Sequence, residues 1–348
     1  MEVQQKSKMQ QKFTTSVKRM AKGAFQLFGV EVDKFAQKTE IPSPEDVEDV
    51  AADQVWIDTG GRIVWPKRPI AFVIVSSNHG TLILNRNDYQ MIDQVRGFGV
   101  GFQVLTSSCY DYAETKLLLA LLSNRRKFYG SGVIAIDCGA NCGIHTVEWS
   151  RHMFDWGNVI AIESQEKIYY ALCGNIAINN CFNAKAILAA VGSDNKEIFV
   201  PSPDYLRPAS FGSLEIRNTA CNDIGQRISY LQEDCSKLSQ ITIDGLNLNR
   251  IDLLKIDVEG MEVDVLEGAV ETIKKHMPQM YIELAKSDAK AIKTTLKGLG
   301  YKYFIFGANL IAVHDADRAG SGISLRDGAL HIRTWSDEPE QQIWRVGE

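Results

Sequence analysis

From residue 133 onward, short apolar runs alternate with stretches whose apolar residues recur every three or four positions. The runs are VIAIDC (133–138), VIAIE (159–163), AKAILAAV (184–191), DLLKIDV (252–258), QMYIEL (279–284), YKYFIF (301–306) and NLIAVH (309–314). Runs of this length, rich in Val and Ile, predict buried strands. The intervening stretches predict helices from about 143, to about Asn180, from about Gly260 to Lys275, and to about Leu299. Strands alternating with helices predict a doubly wound α/β sheet. Only Gly307 and Ala308 separate the last two runs. A two-residue link makes a hairpin, so one strand must run antiparallel. The expected fold is a Rossmann-like, mostly parallel seven-stranded sheet ending in an antiparallel hairpin.

Upstream, AFVIVSS (71–77) and TLILN (81–85) flank Asn78-His79-Gly80 and predict a hairpin. Glu114 to Leu122 reads as a helix with Leu117, Leu118 and Leu121 on one side, and 193–235 as a loop-rich insertion. Residues 41–53 (IPSPEDVEDVAAD) read as a linker. Before it, Phe13, Val17, Met20, Ala24 and Phe28 recur at helical spacing among Lys12, Lys18, Arg19 and Lys22. Between residues 6 and 30 there are six Lys/Arg and no acid. Two readings stay open: a helix lying on an anionic membrane surface, or a cap on the protein's own body. The expected division is a basic extension and linker (1–53), a small β-containing region (54–113), the main α/β domain (114–315) and a tail (316–348).

Composition adds exclusions. The 348 residues, 45% hydrophobic and 23% charged, suit an ordinary globular chain. The net charge of −5 leaves no global basic surface for nucleic acid. Seven scattered cysteines without a C-x-x-C pair read as free thiols in a reducing, cytoplasmic setting. No apolar run approaches the ~18 residues that span a bilayer, and the polar, basic start lacks the apolar core of a secretory leader.

The chemistry concentrates at two strand ends. In VIAIDCGANCGIHT (133–146) a strand ends at Asp137, and a turn with Gly139 and Gly143 leads into a helix. Such glycines let the backbone approach a ligand and aim helix N–H groups at it. Twenty residues past Gly143 the next strand ends in Glu163, placed to accept ribose hydroxyls. A dinucleotide site prefers G-x-G-x-x-G, whose third glycine is missing here, and Asp137 would repel a pyrophosphate. Asp137 suits an ammonium-bearing nucleoside, as in S-adenosylmethionine. In IDLLKIDVEGMEVDVLEGA (251–269) a strand runs into Lys255, Asp257, Glu259 and Glu262, and Glu283 ends the strand after it. Carboxylates on one rim can serve as general base or hold a divalent cation such as Mg2+, with Asp257 and Glu283 as its ligands. They can equally form a plain ion-pair network. His145, just past the turn, is a further candidate base.

These residues resemble the FkbM family of S-adenosylmethionine-dependent methyltransferases, whose architecture is the class I methyltransferase sheet. DCGANCGIHT and LKIDVEGMEVDVLEGA carry the resemblance. AIESQE fits the second-strand motif with Ser164 where the family more often has proline. GTLILNRNDYQM, YDYAETKLLLALL, AAVGS and ITIDGLNL extend it over about 80–285. The resemblance implies O-methylation of a hydroxyl on a sugar, glycan, glycolipid or related secondary metabolite. It implies a cofactor set of Asp137, Gly139, Ala140, Asn141, Gly143, Glu163, Ser164, Val191 and Glu114. Asp257, Lys255, Glu259, Glu283 and His145 form the catalytic set. Two readings stay open for the insertion, with Tyr205, Arg207, Phe211 and Arg217: it lines the acceptor's pocket together with the N-terminal region, or it is a surface loop with ordinary contacts. A silent scaffold that keeps the fold without the reaction is the alternative.

Overall fold

The computed structural model describes residues 56–57, 63–64, 69–219, 223–326, 329–333 and 341–345. The basic stretch 6–30 lies outside them. The contacts divide the chain into residues 1–68 and 69–348. In the first unit β1 (Trp56–Ile57) pairs antiparallel with β2 (Ile63–Val64).

The second unit opens with the expected hairpin, β3 (Phe72–Ser77) and β4 (Gly80–Asn85). A two-stranded ladder, β5 (Gln90–Met91) with β6 (Gly97–Phe98), leads into α1 (Val100–Ser107) and α2 (Tyr112–Tyr129). Helix α2 runs further than its leucines suggest. Its buried face continues through Asn124 and Arg125, which hydropathy alone reads as exposed.

The main elements follow as β7 (Val133–Cys138), α3 (Ile144–His152), β8 (Gly157–Glu163), α4 (Glu166–Ile178) and β9 (Ala184–Leu188). Next come β10 (Ala190–Val191), β11 (Lys196–Pro201), β12 (Cys235–Ile241) and β13 (Leu253–Ile256). Then α5 (Glu262–Glu267), α6 (Val270–His276), β14 (Gln279–Glu283) and α7 (Ala289–Gly298) lead to the hairpin β15 (Tyr301–Phe306) and β16 (Asn309–His314). Seven of these strands form one sheet in the order β15-β16-β14-β13-β7-β8-β9. Strand β16 is antiparallel to both neighbours and the remaining pairs are parallel, as the short link requires.

Two expectations change. The run AKAILAAV is two strands: β10 leaves the main sheet and pairs with β12. The insertion is not all loop, because β11 pairs antiparallel with β12. Its pattern is mostly exposed, so it lacks the apolar run that marks a buried strand.

Strand alternation sorts the core onto two faces. Ile136, Cys138, Leu254, Ile256, Met280 and Ile282 pack with α5, α6 and α7. Val133, Ala135, Leu253 and Tyr281 pack with α2 and α3. By the same period of two, Asp137, Lys255 and Glu283 point to the α2/α3 side. The C-terminal strands β17 (Ile323–Arg326) and β18 (Ala329–Arg333) add Ile323, Leu330 and Ile332 to that core, and β19 (Gln341–Arg345) pairs with β18. A buried network ties in the chain ahead of them. Arg125 sits 3.0 Å from Asp252 and 2.9 Å from Asp317, and Gln279 donates to Asp317 at 2.7 Å. No helix of the described residues is long and apolar enough to cross a membrane.

Candidate active site

The turn after β7 carries three residues with positive φ: Gly139 (77°), Asn141 (50°) and Gly143 (86°). At Gly139 a side chain is excluded twice over. The conformation favours glycine, and a Cβ would lie 1.7 Å from the Asp257 carbonyl oxygen. The turns after β7 and β13 therefore touch through bare backbone, which brings the two dense motifs of the sequence together.

Glu163, at the end of β8, is 5% exposed. Its Oε2 accepts the Asn141 N–H at 2.8 Å and its Oε1 the Gln165 N–H at 2.7 Å. Burial pushes its carboxyl up to about 7, against the pull of those backbone bonds. Gln165, which the motif reading passed over, locks the insertion to this corner: it donates to the Phe211 carbonyl at 2.8 Å.

A cleft of about 1260 Å3, open solvent at its mouth included, runs along the carboxyl ends of the strands. Its enclosed part is about 250 Å3, near the low end of the size that one small ligand takes. Gly139, Ala140, Asn141, Glu163, Ser164 and Val191 form one end. Lys255, Asp257, Glu259, Glu283 and His145 also line it. Three members of the expected cofactor set do not. Gly143 caps α3. Glu114 lies behind His145, its Oε1 3.2 Å from the His145 Nε2. Asp137 is fully buried, with Oδ2 accepting from the Thr146 hydroxyl at 2.8 Å. Asp137 shares its face with Lys255 but lies under α3, capped by the Thr146 hydroxyl, and is not among the residues that line the cleft.

Lys255 is the cation at the centre. Its Nζ lies 2.9 Å from Asp257 Oδ2 and 3.6 Å from Asp137 Oδ1. Burial opposes its charge, yet Asp257, Asp137 and Glu114 together hold its ammonium well above the ordinary lysine range. Glu259 pairs with Lys286 at 2.6 Å, and Lys286 also donates to the Ser213 carbonyl across the cleft at 2.6 Å. Burial first, then the charge of Asp257, pushes Glu259 up to about 7. Burial and the charges of Asp257, Glu259 and Glu262 push Glu283 up to about 9. Glu262 is structural: fully buried, it accepts the Val258 and Gly260 N–H groups and the Ser287 hydroxyl, which shapes the turn after β13.

Carboxylate oxygens of Asp257, Glu259 and Glu283 lie within 4.8 Å of one another, a hard-cation donor set by type. Lys255 and Lys286 already supply positive charge to two of them, so a proton at Glu283 balances the cluster. A divalent ion held by the same three carboxylates would balance it as well.

The insertion reaches the cleft, through Ser210, Gly212, Ser213, Leu214 and Ile216, but not with the side chains expected. Phe211 is fully buried and stacks with Tyr205 at 4.9 Å. Arg207 pairs with Asp204 and Arg217 with Asp264. Gln103 and Phe98 also line the cleft with no motif to signal them, as does Tyr110, which opens the YDYAETKLLLALL stretch.

The family model described as "Methyltransferase FkbM domain" matches residues 137–303. The chain is 25% identical over 210 residues to "Methyltransferase 1" of Beauveria bassiana, covering 57% of this chain and 78% of that protein. It is 25% identical over 207 residues to "Methyltransferase sdnD" of Sordaria araneosa, covering 54% and 74%. Among solved structures, it is similar to a methyltransferase FkbM from Methylobacillus flagellatus KT, at 14% identity and a TM-score of 0.37. That match covers 61% of this chain and 58% of the other.

Proposed function

We propose that this chain, whose residues 137–303 match the model of the FkbM methyltransferase domain, moves the methyl group of S-adenosylmethionine to a hydroxyl of a sugar, glycan, glycolipid or related metabolite. The observation that carries the reading is one cleft joining the glycine turn and Glu163 to the carboxylates at the ends of β13 and β14.

S-adenosylmethionine, when bound, supplies an electrophilic methyl on a positively charged sulfur that leaves as a neutral thioether. The protein's task is then alignment of the acceptor at about 3 Å and removal of its proton. Glu163 holds the ribose. Neighbouring strands lie about 4.8 Å apart, so Glu283, three strands from Glu163, is roughly 14 Å away. That separation supports a reading with Glu163 on the cofactor side, Glu283 on the acceptor side, and Asp257 and Lys255 between them near the methyl. Asp257, fixed by Lys255, orients the acceptor. No step uses a metal.

Calorimetric titration of the full chain with S-adenosylmethionine, with NAD as control, tests the cofactor. S-adenosylmethionine alone is expected to bind. Binding of NAD would overturn the assignment, and binding of neither would leave a scaffold. The ribose needs the Glu163 carboxylate. That group takes up a proton as pH falls through about 7. Affinity is therefore expected to drop about tenfold from pH 8 to pH 6, a one-unit linkage effect absent in Glu163→Gln. Asp257→Asn is expected to keep cofactor affinity within about threefold and to slow methyl transfer to p-nitrophenyl β-D-glucoside, a neutral sugar probe, by roughly 10–100-fold. Unchanged turnover would remove Asp257 from the site's machinery.

A further inference from the structure

We propose that His145 is the base that takes the acceptor's proton, with Glu114 as the carboxylate that positions it; this rests on the methyl-transfer reading above. His145 opens α3 directly after the cofactor turn and lines the cleft beside Tyr110, Lys255 and Asp257. Its side chain is 7% exposed. Nε2 lies 3.2 Å from Glu114 Oε1, whereas the buried Nδ1 has no protein partner. A carboxylate accepts and never donates, so it selects the tautomer with the proton on Nε2. The lone pair of Nδ1 is then left with no donor. A buried acceptor without a donor is costly, and an acceptor hydroxyl entering the cleft satisfies it. The ring cannot swing freely, packed 5.7 Å from Trp149 and 6.3 Å from Tyr110 between centroids.

The neighbouring acids are less suited. Asp257 is spent on Lys255 at 2.9 Å and Glu259 on Lys286 at 2.6 Å. Glu283, held up to about 9, keeps its proton at neutral pH. Among the described residues, the cleft-lining groups with a buried atom lacking a hydrogen-bond partner are His145 (Nδ1), Glu259 (Oε2) and Glu283 (Oε2); Lys286 answers the first carboxyl and a proton the second, which leaves the His145 nitrogen. Behind it, burial works against the charge of Glu114. Once His145 carries a proton on both nitrogens, its hydrogen bond and charge, with Lys255 beyond, nevertheless hold that carboxyl below its usual range. A charged Glu114 stabilises the imidazolium that proton transfer creates.

The step balances. An oxygen lone pair of the acceptor forms the new O–CH3 bond, and the C–S pair departs with sulfur. The hydroxyl proton goes to Nδ1, so the positive charge lost at sulfur appears on His145 against Glu114. The charged or titratable groups that interact with the ring are Glu114 and Asp111 at the start of α2 and Tyr110 ahead of it, while Lys255 and Asp257, from β13 and its turn, line the same cleft.

The decisive measurement needs no acceptor. Nitrogen-15 long-range NMR of the histidine-labelled full chain at pH 8, assigned by loss of one signal in His145→Gln, reads the tautomer. A protonated Nε2 and bare Nδ1 are expected, with Glu114→Gln redistributing the proton. A protonated Nδ1 overturns the proposal on its own. With S-adenosylmethionine and p-nitrophenyl β-D-glucoside, His145→Gln is expected to lower kcat roughly 10^2–10^4-fold, the usual range for a lost general base. The Kd for S-adenosylhomocysteine should stay within about threefold. Glu114→Gln should cost less and shift the acid limb of the pH–rate profile. A kcat in His145→Gln within about threefold of the parent also overturns it. Failure of the parent chain to bind S-adenosylmethionine would instead sink the methyl-transfer reading, and the tautomer would still be read.

Discussion

Glu163→Ala is expected to weaken S-adenosylmethionine binding by about 30- to 1,000-fold. The side chain is asked to accept ribose hydroxyls, and hydrogen bonds to a charged group are worth about 1.5–3 kcal/mol each. It also accepts the Asn141 and Gln165 N–H groups at 2.8 and 2.7 Å, so its removal loosens the turn that the cofactor lies against. Together these give a loss of about 2–4 kcal/mol in binding, which calorimetry measures directly. The same two N–H groups lose their partner in the free protein, so a lower unfolding midpoint should accompany the change. A dissociation constant within threefold of the parent would show that the ribose lies elsewhere.

Lys255→Met is expected to destabilise the fold by about 3–5 kcal/mol, the range for removing one partner of a buried ion pair. Lys255 is 3% exposed, and the carboxylate beside it, Asp137, is fully buried. Their strands run in register with Lys255 opposite Asp137, so the methionine would leave a carboxylate with only the Thr146 hydroxyl for support. Denaturant unfolding reads the loss. Adding Asp137→Asn to the same chain should restore a large part of it, because the stranded charge is then gone. A single variant as stable as the parent, or a double variant no better than the single, would show that the two groups do not depend on each other. The cleft is thus built on a costly element: a cation buried in its wall and retained by the acids around it.

The sheet was legible because buried parallel strands are continuous apolar runs, and helices between them need no partner to show their period. VIAIDC, VIAIE, QMYIEL, YKYFIF and NLIAVH coincide with β7, β8, β14, β15 and β16 to within two residues. Strand β11 was missed because it lies mostly exposed in a small sheet, where alternation is weak. The arginines of the insertion were misleading for a related reason. A charged side chain in a loop takes whichever acid folds beside it, here Asp204 and Asp264.

The sequence by itself determined the fold class, the glycine turn and the acids at the strand ends, since each is a local pattern of residue types. Only the tertiary structure decided which acids face a ligand. Asp137 and Glu163 each end a strand, yet the first turns under α3 and the second reaches the cleft. The pairing of Glu114 with His145, and of Glu259 with Lys286, joins separate elements that only folding brings side by side. Periodicity tells which side of its own strand or helix a residue occupies. What stands opposite depends on strand order, register and the helix that covers that face, and those are settled only when the whole core packs.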